Sequence, residues 1–404
     1  VTPKLRFPEF VGDWKIARLG DFFTFKNGVN ADKSMYGSGR KFINVMDVIA
    51  DTPITHDAII GSVEISDNEF AKNKVVYGDV LFQRSSETRE EVGQSNIYID
   101  QQPATFGGFV IRGHPKQAID PYYFDALLKT APVRKDMTSR SGGSIRYNIG
   151  QESLDAVSVC VAPDLAEQRK IAAFLSAVDA RIDLLRRRRV ALERYKKGLM
   201  QRIFAQTLRF KRDDGTAFPD WVEKRLGEIA QIVGGGTPDT TEPSYWDGDI
   251  PWFTPTEIKS KYLDDSERKL TLAGLNQSSA KLLPIGTLLL STRANVGDVG
   301  IARKECSTNQ GFQAMIVKPE HDNEFWYYWA VFHKRKFLRW AAGSTFLEIN
   351  KTEVSKIVAT MPHPDEQRKI AAFLSTVDDR IGAVSAKIRA MQAFKKGLLQ
   401  QMFV

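Results

Sequence analysis

Reactive side chains are scarce in this sequence. Its 404 residues include only two cysteines, Cys160 and Cys306. They lie far apart and have no metal-ligand spacing, which argues against a thiolate metal site. The five histidines, His56, His114, His321, His333 and His363, show no ligand pattern either. HExxH, GxSxG and GxxxxGK[ST] are missing, as are an Asn-Pro-Pro-aromatic motif and a glycine-rich cofactor loop after a strand. The run GGGT at 234–237 leads into Thr-Pro-Asp rather than a helix, and it reads as a flexible loop. PDLAEQRK at 163–170 only superficially resembles a nuclease carboxylate–lysine set, because its carboxylate opens a helix instead of ending a strand. These absences favour a binding protein without catalytic residues, metal or cofactor of its own. No stretch approaches the ~18–20 apolar residues of a membrane span. The opening VTPKLRFPEF lacks the apolar centre of a signal peptide, so the expected location is the cytoplasm, with reduced thiols.

What the sequence does contain is a repeat. EQRKIAAFLSAVDARI at 167–182 returns as EQRKIAAFLSTVDDRI at 366–381, with 14 of 16 positions identical. The match continues through KKGL to residues 204 and 403. Shorter echoes keep the same order: LRF (5–7 and 208–210), DWKIARLGD with DWVEKRLGE, GDVLFQRSS (78–86) with GTLLLSTRA (286–294), FGGFVIR (106–112) with NQGFQAMIV (309–317), and RYN (146–148) with EIN (348–350). A period near 200 residues is too long for a solenoid and indicates a duplicated domain. Charge follows the repeat. Residues 167–204 carry net +7 and 366–404 net +4, whereas 1–166 and 205–365 carry −2 and −1. Any contact of the larger portions with nucleic acid therefore depends on local basic loops.

The repeated segment has the 3–4 spacing of a coiled-coil seam. The seam is Ile171, Leu175, Val178, Ile182, Leu185, Leu192 and Leu199 in the first copy. In the second it is Ile370, Leu374, Val377, Ile381, Val384, Ile388, Met391 and Leu398. Arg189, Lys196 and Lys395 interrupt it. The natural partner of each helix is its own copy, paired antiparallel, and ~38 residues at ~1.5 Å rise give a rod of ~57 Å. The alternative is that each helix packs on its own domain. The predicted strands are 42–49, 74–82, 96–99 and 109–112 in the first half, and 250–254, 286–292, 300–303 and 314–319 in the second. Single helices over 121–137 and 324–341 follow them. The fold class is α+β: two duplicated strand-rich domains separated by two long helices, with a pseudo-two-fold axis. The aromatics of 325–340 read as core, and the basic residues of that helix read equally as phosphate contacts or a solvated face.

Two variable domains alternating with two near-identical helices resemble the specificity subunit of type I restriction-modification enzymes. The resemblance rests on EQRKIAAFLSxVDxRI and KKGL, both present twice, and on GSIRYN and GSTFLEIN. In the second half GGGTPDTTEPSYWDGDIPWFTPTEI, STRANVGDVGIA and TNQGF add to it. It implies target recognition domains at 1–166 and 205–365, and conserved helices at 167–204 and 366–404. It further implies a subunit without catalytic activity that reads the two halves of a split double-stranded DNA target and docks two methyltransferase subunits. S-adenosylmethionine, ATP and magnesium are then expected on partner subunits, including nuclease/translocase subunits. Among the loop residues, Arg84 and Arg293 have the chemistry to read guanine, Asn295, Asn309 and Gln310 adenine, and Thr254 and Thr256 a thymine methyl or a phosphate. Ser85, Thr88, Arg89, Arg140 and Arg146 are the first-half counterparts by position or loop type. Each reads alternatively as a phosphate contact or a turn residue. The run Arg186–Arg189 reads as a phosphate contact, a solvated face or a surface for an acidic partner. The competing functions are a methyltransferase or nuclease with fused recognition domains, and a non-DNA scaffold.

Overall fold

A computed structural model describes residues 1–293, 295–341 and 348–403. Most of GSTFLEIN falls outside them. The chain divides into two compact units, Val1–Arg187 with Ser385–Val404, and Arg188–Val384.

In the first unit, an antiparallel sheet runs in the order Phe23–Asn27, Val110–Pro115, Val80–Gln83, Ser95–Ile97. A smaller sheet joins Ser62–Val63, Tyr36–Ile43 and Thr105–Phe106, the last two strands parallel. Helices Pro121–Leu128 and Ala131–Ser139 pack on the larger sheet, where Tyr123, Phe124 and Leu127 join Phe23, Phe82 and Ile111 in one core. The second unit repeats the plan. Its main sheet runs Ala230–Gly234, Phe312–Val317, Leu288–Ser291, Val299–Ala302, Tyr262–Leu263. The smaller sheet is Arg268–Leu270, Trp246–Phe253, Ser307–Thr308. Helices Asn323–Phe332 and Lys334–Trp340 follow, with Phe325, Trp326, Tyr328, Trp329 and Phe337 fully buried. These aromatics are core, as their helical spacing suggests; Trp340 is exposed.

The structure differs from the sequence reading in several places. Residues 45–48 form a short helix, because the Asn44 side chain accepts the Met46 N–H and Asp47 caps the Asn44 N–H in return. The helix expected over 121–137 breaks at Lys129–Thr130, ahead of Pro132, which fills the first turn of a new helix. Its counterpart over 324–341 breaks at His333. Strands also return after the helices: Lys15–Arg18 pairs with Ser158–Val161, and Val222–Arg225 with Val358–Met361. The duplicated DW…RLG segment therefore closes each unit onto the strand preceding its long helix.

The long helices span Leu165–Phe204 and Pro364–Met402. Glu167, fully buried, accepts two hydrogen bonds from the Arg6 guanidinium, at 2.7 and 2.8 Å, and one from the Trp14 indole at 3.2 Å. Glu366 does the same with Arg209, at 2.8 and 2.9 Å, and with Trp221 at 3.2 Å. These hydrogen bonds push both guanidinium pKa values further up. Next in sequence, Gln168 accepts the Asp120 N–H and donates to the Ala162 carbonyl, while Gln367 accepts the Asp322 N–H and donates to that of Pro362. The repeated Glu-Gln thus ties the lead-in segment, the domain helix and the closing strand to the start of each long helix.

Both helices contribute to each unit. In the first, Ile171, Leu175, Val178 and Ile182 share a core with Leu398, Met402 and Phe403, and also with Trp14 and Tyr123 of the domain. In the second, Leu199, Met200 and Ile203 meet Ile370, Leu374 and Val377 beside Phe325 and Trp329. The early part of one helix lies against the late part of the other in each unit, so the pairing is antiparallel. The seam is continuous with the domain cores, and the two packing alternatives of the sequence hold together. Of the remaining seam positions, Leu185, Val384 and Ile388 are buried, and Leu192, Ile381 and Met391 are half-buried. Two lysines that interrupt the pattern find acids on the opposite helix: Lys395 meets Asp179 at 2.7 Å and Lys196 meets Asp378 at 2.6 Å. Lys196 and Lys395, like Asp179 and Asp378, are repeat equivalents.

Candidate nucleic-acid interface

In the first unit the six named loop residues come together. Strand Ser85–Ser86 pairs with Tyr147–Asn148, and the Ile149 N–H donates to the Arg84 carbonyl. The Arg89 guanidinium donates to the Thr138 and Ser139 carbonyls, beside Arg140, which holds Asp136 at 3.1 Å. Arg84 donates to the Gly108 carbonyl at 3.2 Å. The exposed Arg146 side chain has no partner among the described residues, and exposed Thr88 lies in the loop that carries Arg89. Four arginines therefore converge on one sheet end, with exposed Phe109 and Ile145 among them.

The second unit gathers its named residues at the corresponding place. The Asn309 N–H donates to the Phe253 carbonyl, which brings Asn309 and Gln310 next to Thr254 and Thr256. The Thr292 N–H donates to the Gly311 carbonyl, so Arg293 follows directly. Several of these side chains have internal partners. Arg293 pairs with Glu348 at 2.8 Å. The Thr254 hydroxyl contacts Glu257 at 2.7 Å and the Thr256 hydroxyl at 3.1 Å. The Asn309 side-chain amide oxygen (Oδ1) accepts the Gly311 N–H at 2.8 Å, a turn-forming role. Asn295 is exposed in the turn that ends at Asp298.

Strand register refines the correspondence between units. Gln83 pairs with Val110 as Ser291 pairs with Phe312. Arg84 is therefore the counterpart of Thr292, and Ser85 that of Arg293. Ser85 bonds Asn148 where Arg293 bonds Glu348. The sequence pairing of RYN with EIN is off by two residues, because a motif shared through a loop does not fix register. The glycine run is also different from its sequence reading. A methyl group on Gly235 would overlap the Asn309 carbonyl, and one on Gly236 would overlap Ser279 and Ala280. The Trp252 indole donates to the Gly236 carbonyl at 2.9 Å. GGGT is a tightly packed crossing of two loops, not a flexible one.

The basic run on the first long helix is partly offset by acids. Arg186 lies 3.8 Å from Asp51, Arg187 2.5 Å from Asp183, and Arg189 3.6 Å from Glu193, while Arg188 is exposed. Among the described residues no cluster of three His, Cys, Asp or Glu side chains is arranged to hold a metal ion, and no helix is long and apolar enough to cross a membrane.

Comparison with known proteins places this geometry in a family. The profile of the type I restriction modification DNA specificity domain matches residues 12–194 and again 219–390. The chain is 34% identical over 203 residues to the type I restriction enzyme MjaIX specificity subunit of Methanocaldococcus jannaschii, covering 48% of this chain and 46% of that protein. It is 25% identical to the putative MjaX specificity subunit of the same organism, over 98% of this chain and 94% of that one. The S subunit structure from M. genitalium shares the fold, with a TM-score of 0.58 at 13% identity, covering 100% of this chain and 99% of that one. A chain from a structural study of type I R-M complex assembly gives 0.62 at 18% identity, with 98% of each chain covered. With both halves matched by the same domain, the chain belongs to the type I restriction-modification DNA specificity family.

Proposed function

We propose that this chain is the DNA-reading, non-catalytic subunit of a type I restriction-modification enzyme. Each unit reads one half of a split duplex target. The long helices, running through both, set the number of unread pairs and dock two methyltransferase subunits that bring S-adenosylmethionine; nuclease subunits with ATP and magnesium complete the restriction enzyme. The observation that carries this reading is the matching loop cluster at the same sheet end of both units. The first cluster combines four arginines with polar side chains, and the second sets Arg293, paired with Glu348, among threonine, asparagine and glutamine side chains able to discriminate base edges. Two features of the helices support docking. Tyr195 and Phe394, repeat equivalents, are about half exposed. Gly198 and Gly397 have open space where a side chain would stand, so another backbone has room to approach.

Arg84→Ala and Arg293→Ala, assayed in complex with the methyltransferase subunits, test base readout. Loss of cognate binding with scrambled DNA unaffected indicates base contact. Equal loss on both indicates a phosphate contact. Binding of S-adenosylmethionine by the isolated chain would point to the fused-enzyme alternative.

A further inference from the structure

Register places one pair of side chains at the same spot in each unit; the sequence reading named Gln310 but neither Asn30 nor Thr237. The Gly28 N–H donates to the Val110 carbonyl and the Val29 N–H to that of Phe106, just as the Gly235 and Gly236 N–H groups donate to Phe312 and Thr308. Gly28 lies against the Gly107 carbonyl as Gly235 lies against that of Asn309, and neither crossing tolerates a side chain. Asn30 is therefore the counterpart of Thr237, and Gly108 that of Gln310. In the first unit, the Asn30 carboxamide lies over Gly108, where a methyl group would overlap its oxygen. In the second, the Thr237 hydroxyl donates to the Gln310 side-chain oxygen Oε1. Each unit thus presents one exposed carboxamide at the same crossing, from opposite loops. In the first unit, Arg84 grips the Gly108 carbonyl directly beside it.

We propose that the Asn30 and Gln310 carboxamides are base-reading groups, each contacting an adenine in its own half-site. A carboxamide matches adenine by donating to N7 and accepting from N6. The Asn30 amide has no protein partner among the described residues, and the Gln310 oxygen keeps one lone pair beyond the bond from Thr237. The hydroxyl of Thr237 fixes the Gln310 amide orientation, and the glycine crossings bring the two loops close enough to hold these groups at the surface. This assignment rests on the DNA-specificity reading above.

The test is selection from a randomised duplex library by the full chain bound to its methyltransferase subunits, followed by sequencing. Asn30→Ala is expected to flatten preference at one A·T position of one block, by ~5- to ~150-fold, leaving the other block intact. Gln310→Ala is expected to do the same in the other block, and Thr237→Val to weaken that same position less. If either alanine variant keeps its full motif, or loses affinity equally for all sequences, the assignment is overturned. If the unmodified complex selects no two-block motif, the underlying DNA-specificity reading fails, and that outcome is distinct from the first.

Discussion

Single residues account for the contacts that the two copies of the helix start share. Glu167 and Glu366 are buried anions, each held by a guanidinium and an indole from the lead-in segment. Removing one partner leaves the other buried and uncompensated. Arg6→Ala or Glu366→Ala is expected to cost ~3–5 kcal/mol, measured by denaturant unfolding of the purified chain. His333 gives a pH signature. Burial lowers its pKa to about 4, and the ring stacks on Trp329 at 4.5 Å. In the unfolded chain the imidazole takes up a proton near ~6.5, so between that pH and about 4 the unfolded state binds one more proton. Stability is therefore expected to fall as pH drops through this window, by up to ~3 kcal/mol, and His333→Phe should flatten that slope. At this scale the sequence showed which residue types recur but not what they touch. The Arg6–Glu167 bond spans 161 residues, and no local pattern announces it. Asn30 and Thr237 were overlooked because only strand register makes them equivalent.

At the scale of elements, the long helices were the most legible part, since heptad spacing and near-identity survive without tertiary context. The seam follows from that pattern. The short helix at 45–48 and the broken domain helices did not, because capping by Asn44 and the restart at Thr130 override an apolar run. The closing strands Ser158–Val161 and Val358–Met361 were missed, since four residues give little periodicity. The helix glycines give a test of function against stability. A methyl group at Gly198 or Gly397 meets no neighbour within 4 Å. Replacing each with alanine is expected to stabilise the chain by ~0.5–1 kcal/mol. If a partner backbone docks there, the same change should weaken methyltransferase binding, read by titration calorimetry. A stabilised variant with unchanged binding would remove the glycines from the docking surface.

At the scale of the whole molecule, duplication allows one domain design to diverge into the two readers proposed above. The larger portions are nearly neutral, so affinity should come from the arginine cluster of the first unit and the +7 and +4 helices. Adding matched heptads at 183–195 and 382–394 is expected to lengthen the unread gap or abolish recognition, as read from the selected DNA. An unchanged gap would remove the helices as the spacing element. The central claim, that each unit reads its own half of a split site, is tested most directly by mapping methylated sites across the genome of cells expressing this chain with its cognate methyltransferase. The account predicts two short sequence blocks separated by a fixed number of unread pairs. A single contiguous block, or methylation without sequence preference, would contradict it.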